Sequence, residues 1–398
     1  MNGLTPRRLL CFVTRRLRLR RYLQDPGDGR RQPQISAKAL LWSLLVGQVL
    51  RACSFLAVER LVRSAARRAL MVSRSFSDDA LDYFTERLDP AYTRAALARV
   101  LHQAKRNKAF ETSGGIGLAV DGSTVGWCAS AACSLCRPYR NAHQKEIAGY
   151  RHHLVLATVV GTELSLPFDV EPYGPGDSEY AAGQRLLRRV VELLGVRFAA
   201  YVVVDGEYAT APFLHAAGKL GLPVVARLKA NLPELLAAAQ KRFRWQPPKL
   251  TFRHGPDRVE LWDAEDFDPW ENLRWETVRV LFYRQQKPDG RIIEAFWLTN
   301  FSIQEVSSRV LFHRAKSRWE IENQGFNDAK NRHDLAHICH HHPNSLLITW
   351  LLTSLALTIE RLYRLRYLRR GTHLPRTAAD FVHLLWLSLS QPPTADSS

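Results

Sequence analysis

The sequence predicts an α/β fold: a mixed β-sheet flanked by helices, with a helical domain before it and a β-rich insertion inside it. Three observations carry that prediction. Between residues 116 and 228, short β-branched runs alternate with helical periodicity in the order strand, strand, strand, helix, strand, helix, strand, the pattern of a mixed sheet. Residues 1–110 and the chain from 305 onward read as helical. The intervening residues 231–304 are rich in Trp, Arg and turn residues and carry a hairpin signal at Pro288-Asp289-Gly290.

Each element has a local reason. In the first domain, residues 24–34 hold Pro26, Gly27, Gly29 and Pro33 and read as a loop. The strongly apolar stretch Ala37–Leu61 reads as helical, and Asp78–Leu88 as a second helix that Ser77 can cap. After the break at Pro90, Ala91–Asn107 continues with Arg94, Arg99, Lys105 and Arg106 on it. Past Gly114-Gly115, Ile116–Asp121 is a short apolar strand ending in an acid, and Leu154–Val160 and Leu164–Val170 form a hairpin over Gly161-Thr162. Glu179–Leu194 is a helix stopped by Gly195. Ala200–Asp205 is a second strand ending in an acid, followed by a helix over Ala209–Leu220 and a strand over Pro223–Leu228. In the insertion, Val278–Tyr283 and Ile292–Leu298 flank the hairpin turn; helices then follow over Glu305–Asn331 and Asn344–Leu368, and a Pro/Ser/Asp tail from Gln391 reads as disordered. The expected organisation is a basic helical domain that binds DNA ends over 1–110, the first part of the core over 111–230, and the insertion over 231–304. A helical part of the core over 305–372 and a C-terminal helix and tail over 373–398 complete it.

Composition speaks about partners. Hydrophobic residues make up 46% of the chain, enough for a real core, which excludes global disorder. There are 56 Lys+Arg against 38 Asp+Glu, a net charge of +18, which points to a polyanion. Nucleic acid is the first expectation, with anionic lipid and plain solubility as rivals. The N-terminal Arg7, Arg8, Arg15, Arg16, Arg18, Arg20 and Arg21 surround no apolar core of a secretory signal; the Arg-rich, acid-poor character leaves an organelle-transit alternative. The longest apolar stretch, Leu346–Ile359, is interrupted by Thr349, Thr353, Ser354 and Thr358 and falls short of the ~20 residues a membrane span needs, so it reads as a buried core helix. Six cysteines do not make a disulfide scaffold in a chain of 398 residues. The expectation is a soluble cytoplasmic protein with reduced thiols and no membrane contact.

The candidate chemistry lies in carboxylates. Asp121 and Asp205 each end a strand and each precede a glycine, Gly122 and Gly206, that lets the backbone turn. Ligand sites in α/β sheets collect beyond the carboxyl ends of strands. A capping role explains either Asp alone, and both together less well. A third acid, Glu322, lies on a helix four residues after Arg318 and so shares its face, with Trp319, Ile321 and Phe326 available to pack that helix onto the sheet.

The run from Arg318 through Trp-Glu-Ile-Glu-Asn-Gln-Gly-Phe-Asn-Asp-Ala-Lys-Asn-Arg, with Leu335-Ala-His-Ile-Cys-His-His-His-Pro-Asn344 after it, resembles the signature of bacterial insertion-sequence DDE transposases. Ala119-Val-Asp-Gly-Ser-Thr124 and Val204-Asp-Gly-Glu-Tyr208 support the resemblance, which covers roughly residues 75–365. It implies an RNase H-like core with a β-strand insertion before the catalytic Glu, and a triad of Asp121, Asp205 and Glu322. The two Asp would lie on neighbouring strands. It further implies that these acids bind Mg²⁺, with Mn²⁺ able to substitute, for cleavage and strand transfer of DNA at the element's terminal inverted repeats and into target DNA, by a protein that is dimeric on the DNA ends and associated with the bacterial nucleoid. Three clustered acids suit this chemistry. Phosphoryl transfer needs an activated hydroxyl and a stabilised leaving oxygen, which a two-metal site provides, and hard oxygen donors suit Mg²⁺. Without a cation such acids repel one another.

Two positions depart from the family pattern. Ala315 stands where the signature usually has Tyr, and Lys330 lies eight rather than seven residues after the Glu, a rotation of about 100° on a regular helix. Arg318 is the firmer phosphate contact, with Lys330 beside it. Cys128, Cys133 and Cys136 form a C-x4-C-x2-C cluster followed by His143, His152 and His153. Only one Cys-x-x-Cys is present where a zinc site usually has four ligands at set spacing, so loop thiols are the first reading and zinc the second. His337, His340, His341 and His342 read as capping and polar packing. Of the insertion's Trp245, Trp262, Trp270, Trp275 and Trp297, one could stack on an unpaired base. Glu171 and Glu179 flank the loop after the third strand and read as surface residues or as an outer support of the site. The functional reading is a metal-dependent DNA transposase. The alternative is a catalytically degenerate or repurposed DNA-binding relative, for which Ala315 and the displaced Lys330 speak; a hydrolytic nuclease on the same fold is a third.

Overall fold

A computed structural model describes residues 4–110, 112, 114–141, 146–368 and 377–390. The tail expected from Gln391 and the side chain of His143 lie outside the described residues. The N-terminal segment folds as α1 (Pro6–Cys11), α2 (Arg20–Gln24), α3 (Ala37–Leu50), α4 (Phe55–Arg63), α5 (Ala66–Ala69), α6 (Asp78–Arg87) and α7 (Pro90–Arg106). Local chemistry sets its breaks. The apolar stretch Ala37–Leu61 is two helices rather than one. Arg51 takes a left-handed conformation (φ 62°) and the Ser54 hydroxyl accepts from Ala57 N at 3.0 Å, so that α4 leaves α3 at 106°. Asp89 caps α7 by accepting from Ala91 N at 2.9 Å, with Pro90 in the first turn. Ser77 precedes α6 without capping it; the Asp78 amide donates to Glu59 Oε2 at 2.9 Å instead.

The rest of the chain builds one sheet. Its elements are β1 (Gly117–Cys128), β2 (Arg137–Arg140), β3 (Ile147–Val160), β4 (Leu166–Pro172), α8 (Glu179–Leu194), β5 (Tyr201–Val204), α9 (Ala211–Lys219) and β6 (Val224–Leu228). They continue with α10 (Pro233–Phe243), β7 (Leu250–His254), β8 (Asp257–Phe267), β9 (Val278–Gln286) and β10 (Ile292–Thr299). The strand order is β2-β3-β1-β5-β6-β10-β9-β8-β7, with β4 also paired to β3. β1, β5 and β6 run parallel, and β3 and β4 form the antiparallel hairpin expected over Gly161. The Tyr-Val-Val-Val of β5 is wholly buried, as the centre of a sheet covered on both faces must be. The insertion continues this sheet: β10 pairs antiparallel with β6, from Phe296 opposite Leu228 to Thr299 opposite Val225. β2, β7, β8 and α10 are elements that sequence pattern did not individually show. β2 is four residues long and contains a proline, and β7 alternates half-buried with exposed residues.

The chain then forms α11 (Ser308–Lys316), α12 (Arg318–Glu320), a π-helical turn over Ile321–Phe326, α13 (Asn327–His333), α14 (Pro343–Tyr363) and α15 (Ala378–Ser390). Among the described residues one continuous helix, Pro343–Tyr367, is long and apolar enough to cross a membrane, but 94% of its apolar window is buried against the protein itself. α14 packs on β4, α3, α6 and α7, joining the N-terminal helices to the sheet. The buried Asp169 of β4 reinforces that junction. It accepts from Arg94 of α7 at 2.9 Å and from Arg189 of α8 at 2.6 Å, so Arg94 is an internal tie.

A second buried ion pair fixes the insertion. Arg279 of β9 donates to both carboxylate oxygens of Asp263 in β8, at 2.9 and 2.7 Å, and to the carbonyls of Ser302 and Val306, both at 2.7 Å. Both side chains are almost fully excluded from solvent. Arg279→Met leaves Asp263 buried and unpaired, a loss of about 3–5 kcal/mol. Chemical denaturation is expected to show that loss, and a midpoint equal to that of the parent would refute it.

Candidate active site

The parallel register of β1 and β5 places two acids side by side. Gly117, Leu118, Ala119 and Val120 pair with Tyr201, Val202, Val203 and Val204; Asp121 and Asp205 are the next residues of the two strands. β5 ends there, in a short 3₁₀ turn over Gly206–Tyr208. Asp121, expected at a strand end, lies within β1, which continues to Cys128 paired with β3. What ends at Val120 is the pairing with β5. Neighbouring strands lie about 4.8 Å apart, so the two carboxylates share one face and one opening in the sheet. Alternation along β1 places Asp121 and Ser123 on that face and Gly122 on the other.

The helix from Arg318 to His333 lies over this opening. Ile321 and Phe326 are buried, and Gly325 sits where an added Cβ would meet Leu156 and Thr158 of β3 at 3.4 Å. Trp319 does not pack inward as expected; it is 43% exposed, with the Arg318 guanidinium 5.5 Å from its ring centroid. Glu322 falls within the π-helical turn. Such a turn accommodates one extra residue and is frequent at functional sites. It accounts for the displaced lysine. In an unbroken α-helix the seventh residue after Glu322 would return to its face within about 20°; with one residue absorbed by the π-turn, the eighth does. Lys330 accordingly reaches back to β1, donating to Ser123 Oγ at 2.6 Å. The turn's loosened backbone is held by α14, whose Arg361 donates to the Gln324 carbonyl and pairs with Asp328 at 2.7 Å. Ala315 is fully buried in α11.

The carboxylates converge with few cations between them. Arg318 bridges two: Nη2 donates to Glu322 Oε1 at 2.6 Å, and Nη1 lies 3.4 Å from Asp121 Oδ2. Lys229, just past β6, donates to Asp205 Oδ2 at 2.6 Å. Burial pushes the Asp121 carboxyl up to about 7; Arg318 opposes the shift, while Glu179, Glu322 and Asp205 add to it. Burial also acts to raise Asp205, but the bond from Lys229 and the charge of Arg318 outweigh it and hold that carboxyl below its ordinary value. The second oxygen of Asp205, Oδ1, is buried with no hydrogen-bond partner. An unpartnered buried carboxylate oxygen among converging acids fits a hard divalent cation. The residues able to hold it are Asp121, Asp205 and Glu322.

The structure adds residues to this set. Glu179, at the first turn of α8, approaches from the opposite face of β1. An added Cβ on Gly122 would lie 2.1 Å from its carboxyl carbon, so this close approach requires glycine. Tyr173 donates to Glu179 Oε2 at 3.1 Å. Glu171, the other acid flanking that loop, instead pairs with Arg185 and Arg189. Lys229 was open to detection as the first cation beyond a strand adjacent to β5. The approach of Glu179 was not, because it depends on a glycine in a different element. Of the insertion tryptophans, Trp262 and Trp297 are buried, Trp270 and Trp275 half-buried, and Trp245 is 81% exposed.

A mixed sheet in which a hairpin, β3 and β4, flanks three parallel strands, with acids on two adjacent strands and a third on the covering helix, has the architecture of an RNase H-like carboxylate enzyme. Comparison with protein families narrows this class. Residues 112–359 match the family model described as the transposase DDE domain, and the chain belongs to that family, the DDE-type DNA transposases. Such domains use divalent metal ions. Among solved structures, a cryo-EM structure of a piggyBac transposase synaptic complex with hairpin DNA is 13% identical, with 98% of this chain and 80% of that chain covered and a TM-score of 0.49. A comparison with curated proteins gave no match.

Arg318 is the one cation bridging Asp121 and Glu322 among the described residues. Arg318→Ala removes two charged hydrogen bonds of the kind worth about 1.5–3 kcal/mol each. In chelator the variant is expected to melt below the parent, and divalent cation to narrow the gap by screening the same acids. Equal melting in chelator would show that the bridge contributes nothing.

Proposed function

We propose that this transposase cuts and joins DNA at the ends of an insertion sequence, using Asp121, Asp205 and Glu322 as ligands of Mg²⁺, for which Mn²⁺ can substitute. The observation that carries this reading is the convergence of the three acids from two adjacent strands and one helix: Asp121 and Asp205 follow paired residues, and Arg318 bridges Asp121 to Glu322. The bound metal would supply Lewis-acid stabilisation of the attacking and leaving oxygens.

The chain's own residues do the positioning. Val120 and Val204 fix the two Asp by register, and Arg361 holds the π-turn that presents Glu322. Arg318 and Lys330 meet the DNA phosphates beside the acids; guanidinium suits a planar, bidentate phosphate contact and ammonium a point contact. Trp319, exposed next to Arg318, offers an aromatic face to a base freed from its stack. Water attack on the terminal phosphodiester frees a 3′-hydroxyl, and that hydroxyl then attacks a target-strand phosphodiester in line, so each step exchanges one P–O bond for another. The exposed arginines of the N-terminal helices, among them Arg15, Arg16, Arg20 and Arg21, hold element-end DNA through phosphate contacts. One protomer on each of two ends makes a dimer the working form, on the nucleoid in the cytoplasm. The assembled acids favour this reading over a degenerate DNA-binding relative.

Two measurements test it. With DNA carrying the element's terminal repeats, Asp205→Ala is expected to lower Mg²⁺-dependent strand cleavage by at least about 10³-fold, the several kcal/mol a catalytic metal supplies; undiminished cleavage would remove Asp205 from the site. Lys330→Ala is expected to weaken DNA binding about equally across sequences and to reduce the salt dependence by about one counterion. An unchanged salt slope would exclude a phosphate contact at Lys330.

A further inference from the structure

We infer that the chain holds a second, structural metal ion of the zinc class, bound by Cys128, Cys133, Cys136 and His152, away from the acids. The donors come together from three places: the end of β1 (Cys128), the loop before β2 (Cys133 and Cys136), and the interior of β3 (His152). His152 is fully buried, with sulfur atoms around its ring. Nε2 lies 3.2 Å from Cys133 Sγ and 3.5 Å from Cys136 Sγ, and Nδ1 lies 4.0 Å from Cys128 Sγ. Cys133 Sγ and Cys136 Sγ are 3.6 Å apart.

The distances among Cys133 Sγ, Cys136 Sγ and His152 Nε2 are close to one face of a coordination tetrahedron. Zinc bonds of about 2.3 Å to sulfur and 2.0–2.1 Å to nitrogen give edges of about 3.8 Å between two sulfurs and about 3.6 Å between sulfur and nitrogen. The three measured edges around Cys133, Cys136 and His152 Nε2 fall on or just inside those values. The sulfur separation is far longer than the ~2.0 Å of a disulfide, and all six cysteines are free thiols. Cys128, buried, has its Sγ 4.0 Å from the other ring nitrogen, Nδ1, and within 4.8 Å of Cys136 Sγ, and is the fourth donor of the inferred set. His341 stands at the open rim: it is exposed, and a ring nitrogen lies within 4.8 Å of donor atoms of Cys128, Cys136 and His152. A Cys₃His set is closed and tetrahedral, as in structural zinc sites, and soft thiolates select against the Mg²⁺ that the acids take.

The position gives the ion a task. It would fasten the loop of residues 129–136 across β1 and β3, beyond Asp121 and Ser123 on the same strand. The segment that follows the Glu322 helix packs there too: an added Cβ on Gly126 would meet Ile338 Cδ1 at 2.6 Å. The ion therefore anchors the far end of the strand that carries the first acid and receives Lys330. The site stands independently of the metal proposed at the acids.

The test is metal content and a spectroscopic signature. Full-length protein purified without added metal is expected to carry about one zinc per chain, to keep it in Asp205→Ala and His341→Ala, and to lose it in the double variant Cys133→Ser/Cys136→Ser. Because that variant can fail to fold, reduced wild-type protein stripped of metal is also titrated with Co²⁺, and a thiolate-to-cobalt charge-transfer band with tetrahedral d–d absorption is expected. Absence of both zinc and the cobalt spectrum in the wild type overturns the inference, as does zinc retained in the double variant. Zinc lost in Asp205→Ala would place the ion at the acids instead, and zinc lost in His341→Ala would overturn the Cys₃His assignment.

Discussion

The parallel pairing of β1 with β5 is the constraint on which the rest of the site depends. It is driven by burial: Leu118, Ala119 and Val120 on one strand and Val202, Val203 and Val204 on the other are all almost wholly excluded from water. Both faces of these strands are apolar and covered, so every residue of the pairing is buried whichever way it points. The register of that pairing, with Val120 opposite Val204, puts Asp121 beside Asp205. Three carboxylic acids are hard to gather in a partly buried place, because each disfavours ionisation of the next. The fold gathers them by spending apolar contacts that lie one residue upstream of the chemistry.

Electrostatic balance at the opening follows from that crowding. Arg318 and Lys229 stand against four acids, Asp121, Asp205, Glu322 and Glu179; burial is what chiefly raises the Asp121 carboxyl, and the neighbouring acids add to it. Such a site is poised for cations. The surplus of positive charge on the chain lies elsewhere, largely on the exposed N-terminal helices, so the two signs are separated along the chain.

Much of this was legible in the sequence, and the exceptions have physical reasons. Asp121 and Asp205 stood out because each follows an apolar run and precedes a glycine, and Glu322 because of the run around it. Lys330 looked misplaced because a π-turn leaves no mark in composition or periodicity; only the backbone shows that an extra residue has been absorbed. Trp319 was expected inside because tryptophan usually is, whereas Ile321 and Phe326 suffice to pack that helix. The stretch Ala37–Leu61 was read as continuous because its apolar character hides the left-handed turn at Arg51. The insertion's separate look came from its composition, yet β10 joins β6 by backbone pairing that is blind to side-chain type. The cysteine cluster looked incomplete from spacing because His152 belongs to a different strand.

The order in which the chain is made gives the placement of α14 a further meaning. The helix that joins the N-terminal helices to β4 leaves the ribosome long after α3, α6 and α7, and Glu322 precedes it by only about twenty residues. Until then α3, α6 and α7 lack the apolar partner that covers them. A chain cut short before residue 343 lacks that helix and leaves open apolar faces of the sort that proteases clear.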